Sequence, residues 1–535
     1  MLSALASRAA AQCASWDSNF SNTSHADGAV FSFIAFDNGT GSALYAGGSF
    51  TSIGGTTAYG IARWNGAQWS SIDTPLLPGY PGSISAQAVF DDGSGPALYA
   101  GGVYAHILAV YPVVARWNGG ASWTYLPALM PSTSGHWVHA LLAFDDGSGP
   151  ALYVGGSFDH AGGVPALDIA KWDGTQWSAL GSGIVGSVDG LAAFDDGSGP
   201  ALYAGGEFSS AGGAPASNVA KWNGTSWSPL GSGLDGAVKT MTAFQDGSGS
   251  ALFVGGQFTN AGGVTAPFAA RWNGVSWSAL GGAGNGMNNE VDASIVFDDG
   301  FGPKLYAGGA FTNAGGTVAA HIARWDGASW SRLDNSFSVN PTQALGVFND
   351  GHDGDADLYV GGGASDPHIA EWHGCGVMAY CEGDGSAAPC PCGNSGSPGH
   401  GCDNSHATGG ALLSASGTTS PDVLTLTQTS ELPASLSIFL QGNASLGTPV
   451  AFGDGVRCVG GLLKRLYVEV ASSGTTQAPG AGEPSITSRS AALGDPIAPG
   501  STRYYQVYYR DPSATFCPSP MGDTFNVGNG LRVAW

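Results

Sequence analysis

Apolar and polar positions repeat along the chain in blocks of about 50 residues, and within a block they fall into four short runs. The first is an apolar run closed by Phe-Asp-Asp-Gly, as at Leu191 to Gly197. The second is Ala-Leu-Tyr-Ala-Gly-Gly, as at Ala201 to Gly206, followed by a variable loop that often reads Ala-Gly-Gly. The third is Val-Ala-Lys-Trp, ending at Trp222, and the fourth starts at Ser226-Trp227 after the turn Asn223-Gly224. Short apolar runs bounded by Asn-Gly and Asp-Gly predict strands joined by tight turns, because both turn residues tolerate positive φ. Each block is therefore a four-stranded antiparallel unit. The aromatic of the second run falls at Tyr45, Tyr99, Tyr153, Tyr203, Phe253, Tyr306 and Tyr359, at spacings of 54, 54, 50, 50, 53 and 53. Seven such units predict an all-β, seven-bladed β-propeller.

The last two strands of each block carry a tandem-Trp motif. Six copies are whole, starting at Trp64, Trp117, Trp172, Trp222, Trp272 and Trp325 and ending at Trp69, Trp123, Trp177, Trp227, Trp277 and Trp330. A seventh starts at Trp372 and stops at Cys375, and its missing half, Cys13 to Trp16, stands at the N-terminus. A split repeat predicts that the N-terminal strand closes the ring as the outer strand of blade seven. Cys375 follows Trp372 by three residues and Cys13 precedes Trp16 by three, which predicts a Cys13–Cys375 disulfide at the split turn; the alternative is that each pairs elsewhere. Closing so long a loop would contribute about 4–5 kcal/mol in the chain-entropy model. Fourteen of the 16 Trp occupy motif positions, Trp137 and Trp535 being the exceptions. That regularity assigns them to packing between blades.

Composition narrows the class. The 535 residues include 88 Gly and only 11% charged residues, and the formal net charge is −23. An acidic balance of 40 Asp+Glu against 17 Lys+Arg lacks the basic footprint of a nucleic-acid binder. It suits a soluble extracellular chain with divalent cations as counterions. No apolar run is long enough to span a membrane. The eight Cys are Cys13, Cys375, Cys381, Cys390, Cys392, Cys402, Cys458 and Cys517. Their even number and C-terminal clustering read as disulfides in an oxidising compartment. Residues 1–12 read as a residual secretory-signal segment with small residues Ala9-Ala10-Ala11 before a cleavage site.

The unit resembles kelch repeats. It is closer still to repeats of fungal cell-surface polarity-marker proteins, on Leu-Tyr-Ala-Gly-Gly-Ser-Phe and Ile-Ala-Arg-Trp-Asn-Gly-Ala-Gln-Trp of the first block. The resemblance covers residues 13–375 and implies a kelch-like propeller. Such folds serve enzymes, adaptors and structural modules alike. No G-x-S-x-G, H-E-x-x-H or P-loop occurs. A kelch-type copper oxidase needs a Cys near the ring centre, and none lies between 14 and 374. The expectation is a protein that is not an enzyme.

Alternating strand direction gives a propeller two faces. One carries the acidic turns Asp37, Asp91-Asp92, Asp145-Asp146, Asp195-Asp196, Asp246, Asp298-Asp299 and Asp350. In blade seven Asp350, Asp353, Asp355 and Asp357 alternate on a Gly-bent loop, a spacing that resembles the calcium loops of integrin-like propellers and suits the hard-oxygen preference of Ca²⁺. The competing reading is a metal-free tight turn, which the other blades favour. A basic residue precedes the first motif Trp in six blades: Arg63, Arg116, Lys171, Lys221, Arg271 and Arg324; blade seven has Glu371. These read as salt bridges to the acidic turns or as stacks on Trp. On the other face blade two departs from the pattern with Tyr104, His106 and Tyr111, followed by a long connection ending His136-Trp137. These five residues are the candidate ligand groove, with local packing as the alternative.

Residues 376–403 form a Cys-rich Gly/Pro linker whose Cys381, Cys390, Cys392 and Cys402 are expected to make two local bridges; zinc is the rival, on a poor ligand spacing. Residues 404–535 read as alternating strands of a small β-sandwich bridged by Cys458 and Cys517. The block from Cys381-Glu-Gly-Asp-Gly through Arg503-Tyr-Tyr-Gln-Val-Tyr-Tyr-Arg-Asp-Pro resembles C-terminal modules of secreted planctomycete proteins. The functional expectation is a secreted or cell-surface platform for adhesion to a glycan or protein, with no cofactor required beyond calcium in blade seven. The alternative is a structural protein that assembles with itself.

Overall fold

The computed structural model describes residues 15–16, 20, 24–72, 82–106, 109–120, 122–131, 137–246, 249–281, 286–299, 303–333, 339–350, 356–363, 368–373, 377–380, 390, 400–416, 422–452, 455–498, 501–511 and 525–535. The chain is almost entirely β, and its repeats fold as seven antiparallel sheets built on four strands each, the fourth with the short extra strand Ala214–Pro215. In the fourth, Ile184–Asp195, Pro200–Ala211, Val219–Trp222 and Trp227–Pro229 pair in chain order. The turns follow from their sequences. Asp195 Oδ1 accepts the amides of Gly197 and Gly199 at 2.8 and 2.9 Å, and Asn223 Oδ1 accepts those of Thr225 and Ser226 at 3.0 and 2.8 Å. A side-chain oxygen thus satisfies turn amides that no strand can reach.

The seventh sheet takes its outer strand from the other end of the chain. Thr342–Phe348, Asp357–Gly362 and Ile369–His373 are joined by Ser15–Trp16, and Trp16 pairs opposite Trp372 with ring centroids 4.9 Å apart. The split tandem-Trp motif is therefore reunited across the sheet. The disulfide expected beside it falls on Cys13 and Cys375, which lie outside the described residues.

Each sheet packs on the next through an apolar cluster built from both. Tyr153 and Ile169 of the third, for example, pack with Leu202, Ala220 and Trp222 of the fourth. One such cluster joins Ala344, Phe348, Tyr359 and Ile369 of the seventh sheet to Val30, Leu44, Trp64 and Trp69 of the first. Phe20 bridges these two, 5.1 Å from Trp64 and 5.5 Å from Tyr359. The first strands touch in chain order, and Thr342–Phe348 lies against Val30–Asp37. Thirteen motif Trp, all but Trp16, are buried, each contributing on the order of 1.5–3 kcal/mol. Indole N–H groups also bond between neighbours, Trp222 to Asp146 at 3.1 Å and Trp227 to the carbonyl of Leu180 at 2.9 Å.

The Gly-Gly pair closing each second strand has a steric cause. A Cβ on Gly101 would stand 2.6 Å from Val138 Cγ1 of the next sheet, and one on Gly102 would stand 1.9 Å from the carbonyl oxygen of Ser83 in its own. The first glycine admits the neighbour's buried β-branched side chain; the second admits a bulge in the adjoining first strand. The same interlock recurs from Gly155 to Val188, from Gly205 to Val238 and from Gly361 back to Val30.

Beyond residue 376 a five-stranded sheet (Val377–Tyr380, Phe525–Ala534, Thr502–Arg510, Leu436–Gly442, Lys464–Val470) faces a three-stranded one (Leu412–Ser416, Thr425–Thr429, Thr476–Ala478). Leu413, Leu426 and Ala478 of the smaller sheet share one core with Phe439, Leu466, Tyr505 and Val507 of the larger. Two features differ from the sequence reading. Val377–Tyr380, inside the segment read as linker, pairs with Phe525–Ala534 as an edge strand. Ile486–Ala492 is a short helix, its buried side of Ile486 and Ser490 too brief to register as helical periodicity. Cys390 and Cys402 form a disulfide with Cα atoms 5.8 Å apart. Cys458 packs beside them and is disulfide-bonded to a cysteine outside the described residues. Cys381, Cys392 and Cys517 also lie outside them.

Candidate functional site: the bulge residues of the first strands

Every first strand breaks register after a buried aliphatic or Thr, and the fourth breaks it a second time at Val185/Gly186. The shifts fall at Val30/Ser32, Ile84/Ala86, Val138/Ala140, Val188/Gly190, Val238/Thr240, Val291/Ala293 and Thr342/Ala344. The residue skipped at each is Phe31, Ser85, His139, Asp189, Lys239, Asp292 or Gln343. The seven buried residues before them vary only among Val, Ile and Thr. The seven that follow differ in charge, size and polarity. A bulge frees its extra residue from the ladder and re-aims its side chain.

Four neighbouring bulge residues form an electrostatic chain. His139 Nε2 lies 4.0 Å from Asp189 Oδ1, and Lys239 Nζ bonds Asp189 Oδ2 at 2.6 Å. Ser187 Oγ donates to Asp189 Oδ1 at 2.5 Å. Asp292 and Glu207 also act on Lys239 and, with Asp189, outweigh its burial and hold its pKa above the ordinary value. Burial lowers His139 below its usual 6.5, with the Lys239 charge adding to this against Asp189. Burial, reinforced by the Glu290 charge and opposed by Lys239, pushes the Asp292 carboxyl up to about 7. Trp137 stacks on His139 with centroids 6.0 Å apart and planes inclined by 13°. At 39% exposed it contrasts with the buried motif tryptophans.

The sequence reading reached one member of this group, Trp137. It missed Asp189, Lys239 and Asp292, although a signal was present: the variable position after the repeated Val opening each first strand. Tyr111 lies elsewhere. With Tyr125, Leu126 and Leu129 it lines an apolar groove of about 360 Å³ on the second sheet, and Trp137 is absent from that lining. Tyr104 and His106 sit in a regular hairpin strand, Pro96–His106 paired with Ala109–Trp117, instead of a loop. Their side chains, and His136, lie outside the described residues.

On the acidic turns the structure pairs the basic residues with carboxylates. Arg116 meets Asp92 at 2.9 Å, Lys171 meets Asp146 at 2.8 Å, Lys221 meets Asp196 at 2.5 Å, and Arg271 meets Asp246 at 3.0 Å. Arg324 contacts Asp299, and Arg63 reaches Thr40 Oγ1 at 3.5 Å. Burial alone would raise Asp146 and Asp196, but bonds from the lysine, a serine and a tyrosine bring both well below the usual carboxylate range. In the seventh sheet, where Glu371 replaces the base, the carboxylates of Asp350, Asp357 and Glu371 lie within 4.8 Å of one another and the Tyr359 hydroxyl donates to Glu371. Asp353 and Asp355 lie outside the described residues, so of the four predicted calcium ligands the structure brings together Asp350 and Asp357 and adds Glu371.

No known family's sequence profile matches the chain, and no curated protein matches it. Among solved structures, the extracellular domain of a hybrid two-component system from B. thetaiotaomicron aligns with 94% of this chain and 74% of its own at 10% identity. The TM-score is 0.24, too low to equate the two folds. Among the described residues no helix is long and apolar enough to cross a membrane.

Proposed function

We propose that the protein is a secreted or cell-surface, non-catalytic propeller that acts as a binding platform for a glycan or an extracellular protein. In this reading the seven sheets are kelch-like blades arranged about one axis. The pairing of Ser15–Trp16 with Ile369–His373 and the packing of the seventh sheet on the first support a closed ring. The bulge residues then surround the mouth of the central channel, on the face opposite the acidic turns. Trp137 is the observation that carries the proposal: a large aromatic left exposed and stacked on His139, beside a network of charged side chains. Surface aromatics next to fixed polar groups are the ordinary means of gripping sugars and peptides. The Cys390–Cys402 disulfide supports an oxidising compartment. The three-carboxylate cluster of the seventh sheet supports a calcium ion there, held by Asp350, Asp357 and Glu371, standing where the other sheets place Lys or Arg.

The test is to probe the labelled full-length chain against arrays of glycans and extracellular proteins, with and without calcium, in parallel with Trp137→Ala. Binding that Trp137→Ala removes is the expected result; no binding, or binding indifferent to Trp137, overturns the assignment. The structural-subunit reading draws on a different observation, the exposed Tyr111, Tyr125 and Met130 on the second sheet at 46, 51 and 53%. It requires self-association in size-exclusion chromatography that Tyr111→Ser abolishes.

A further inference from the structure

Two histidines meet where the seventh sheet packs on the first. The ring centroids of His25 and His368 stand 6.4 Å apart, with planes inclined by 54°. Their chain neighbours, Ala26 and Ile369, are buried together in the apolar cluster that joins the two sheets. The repeat explains the meeting. His368-Ile-Ala-Glu-Trp matches Asp168-Ile-Ala-Lys-Trp and Asn218-Val-Ala-Lys-Trp of the third and fourth sheets. At that position the side chain reaches the entry to the next sheet's first strand: Asp168 accepts the amide of Gly186 at 3.0 Å, and Asn218 donates to the carbonyl of Leu234 at 2.9 Å. Ala26 corresponds to Leu234, pairing with Ile53 as Leu234 pairs with Ala261. His25, one residue before Ala26, is therefore at the entry that His368 reaches.

Both backbones are pinned. The His25 carbonyl accepts the amide of Gly54 and the His368 carbonyl that of Gly362, each at 2.9 Å. His25 Nδ1 lies 2.8 Å from the carbonyl oxygen of Ala26. A carbonyl only accepts, so Nδ1 carries the proton and Nε2 is the basic nitrogen of that ring. A carbonyl on one ring nitrogen is the usual support for a histidine that ligates a metal through the other. His368 Nδ1 is buried and meets no hydrogen-bond partner. Water would satisfy that one nitrogen; a second imidazole beside it, already in the ligating tautomer, calls for a ligand shared by both. We infer that His25 and His368 together bind a divalent transition metal of the class that imidazole selects, Zn²⁺, Ni²⁺ or Cu²⁺, with water in its remaining positions. Two imidazoles on one tetrahedral ion have centroids about 5 Å apart. His25 is exposed, and a turn about its side-chain bonds closes the difference without repacking. The ion ties the chain that follows Ser15–Trp16 to the start of Ile369–His373 and resists separation of the first and seventh sheets. Its class differs from the hard Ca²⁺ that suits Asp350, Asp357 and Glu371, so the two sites are told apart by metal.

The experiment is calorimetric titration of the metal-free full-length chain with Zn²⁺, with and without excess Ca²⁺, beside His25→Ala and His368→Gln. Melting curves of all three metal-free proteins accompany it; His25 is exposed, so His25→Ala keeps the fold. Zn²⁺ is expected to bind at one site, to raise the Tm and to be unaffected by Ca²⁺. Each substitution is expected to weaken it by about tenfold or more. Electron paramagnetic resonance with less than one equivalent of Cu²⁺ is expected to show two nitrogen ligands in the wild type and fewer in each variant. Zinc binding that neither substitution weakens overturns the site, whatever the variants' own melting temperatures. Displacement of zinc by Ca²⁺ overturns it by placing the ion among the carboxylates. No zinc binding by the wild type leaves a ring contact only and overturns the inference, while the array test of the platform stands apart from all these outcomes.

Discussion

Replacing Gly101 by Ala tests the interlock between neighbouring sheets. The new Cβ would lie 2.6 Å from Val138 Cγ1, well inside van der Waals contact, and Val138 is fully buried. Overpacking of this kind costs about 1–3 kcal/mol. Val138→Ala alone removes two buried methyl groups, which at about 0.8 kcal/mol each plus a cavity contribution costs about 2 kcal/mol. The two changes together should cost less than their sum. With Cγ1 gone, the next neighbours of the new Cβ are Leu141 Cδ1 and Cγ at 3.3 and 3.4 Å, tight but adjustable, and the added methyl occupies space that Val138 vacates. A coupling of about 2 kcal/mol is expected, read as urea midpoints followed by tryptophan fluorescence. Gly102→Ala is the control. Its Cβ would meet the Ser83 carbonyl oxygen at 1.9 Å, a backbone atom that Val138→Ala cannot move, so that pair should show no rescue. Additivity of Gly101→Ala and Val138→Ala within about 0.5 kcal/mol would refute the proposed contact between the second and third sheets.

Three further outcomes are expected. Lys221→Met should destabilise the chain by about 1–3 kcal/mol at pH 7 by leaving the Asp196 carboxylate without its cation. Because Asp196 has a depressed folded-state pKa, its contribution is present above about pH 4 and lost as pH falls, so the gap between variant and wild type should narrow in acid melting curves. Asp292→Asn should have the opposite pH signature. A carboxyl raised to about 7 by burial and Glu290, among His139, Asp189, Lys239 and Glu207, makes the wild type lose stability from about pH 4 to 7; the variant should be the more stable at about pH 8 and lose that advantage near pH 4. Calcium should raise the Tm of the wild type, and Glu371→Arg, which restores the base found in six other sheets, should abolish the calcium effect without lowering the Tm of the metal-free chain; no change with calcium or chelator would refute the cation.

The strands and their pairing were legible because apolar alternation, Asn-Gly turns and a repeat of about 50 residues all point to the same unit. The outer strand of the seventh sheet was legible for a simpler reason: Trp372 lacked its partner and Trp16 supplied one. The basic residues were readable as salt-bridge partners because they recur at one position opposite a recurring Asp. What escaped was set by register. A bulge moves one residue out of alternation, and in a run such as Ser187-Val188-Asp189-Gly190 only comparison between repeats singles out the variable residue after Val, the skip itself being seen in the ladder. Tyr111 stands apart from Trp137, in the groove the second sheet shows, for a related reason. Val103 to Tyr111 looks like an irregular loop because its bulky residues break the motif, yet it extends the hairpin, carrying Tyr111 to the apolar groove while Trp137 stays with His139.

The bulges also explain how one repeat can hold both a fixed frame and a variable site. At the start of each first strand a Val, Ile or Thr side chain is buried against the preceding sheet's first glycine, on which a Cβ would stand less than 3 Å from it. The residue after it leaves the ladder and makes no such contact. Neighbouring sheets accordingly carry His139, Asp189, Lys239 and Asp292 at the matching bulge position. The same logic applies to Trp137, which precedes Val138 by one residue and matches Ser187, Ala237 and Glu290 in the next three sheets. An indole exposed at a position that tolerates Ala is not required for folding. Trp137 stays exposed and stacked on His139, whereas the thirteen buried motif tryptophans are accounted for by packing alone.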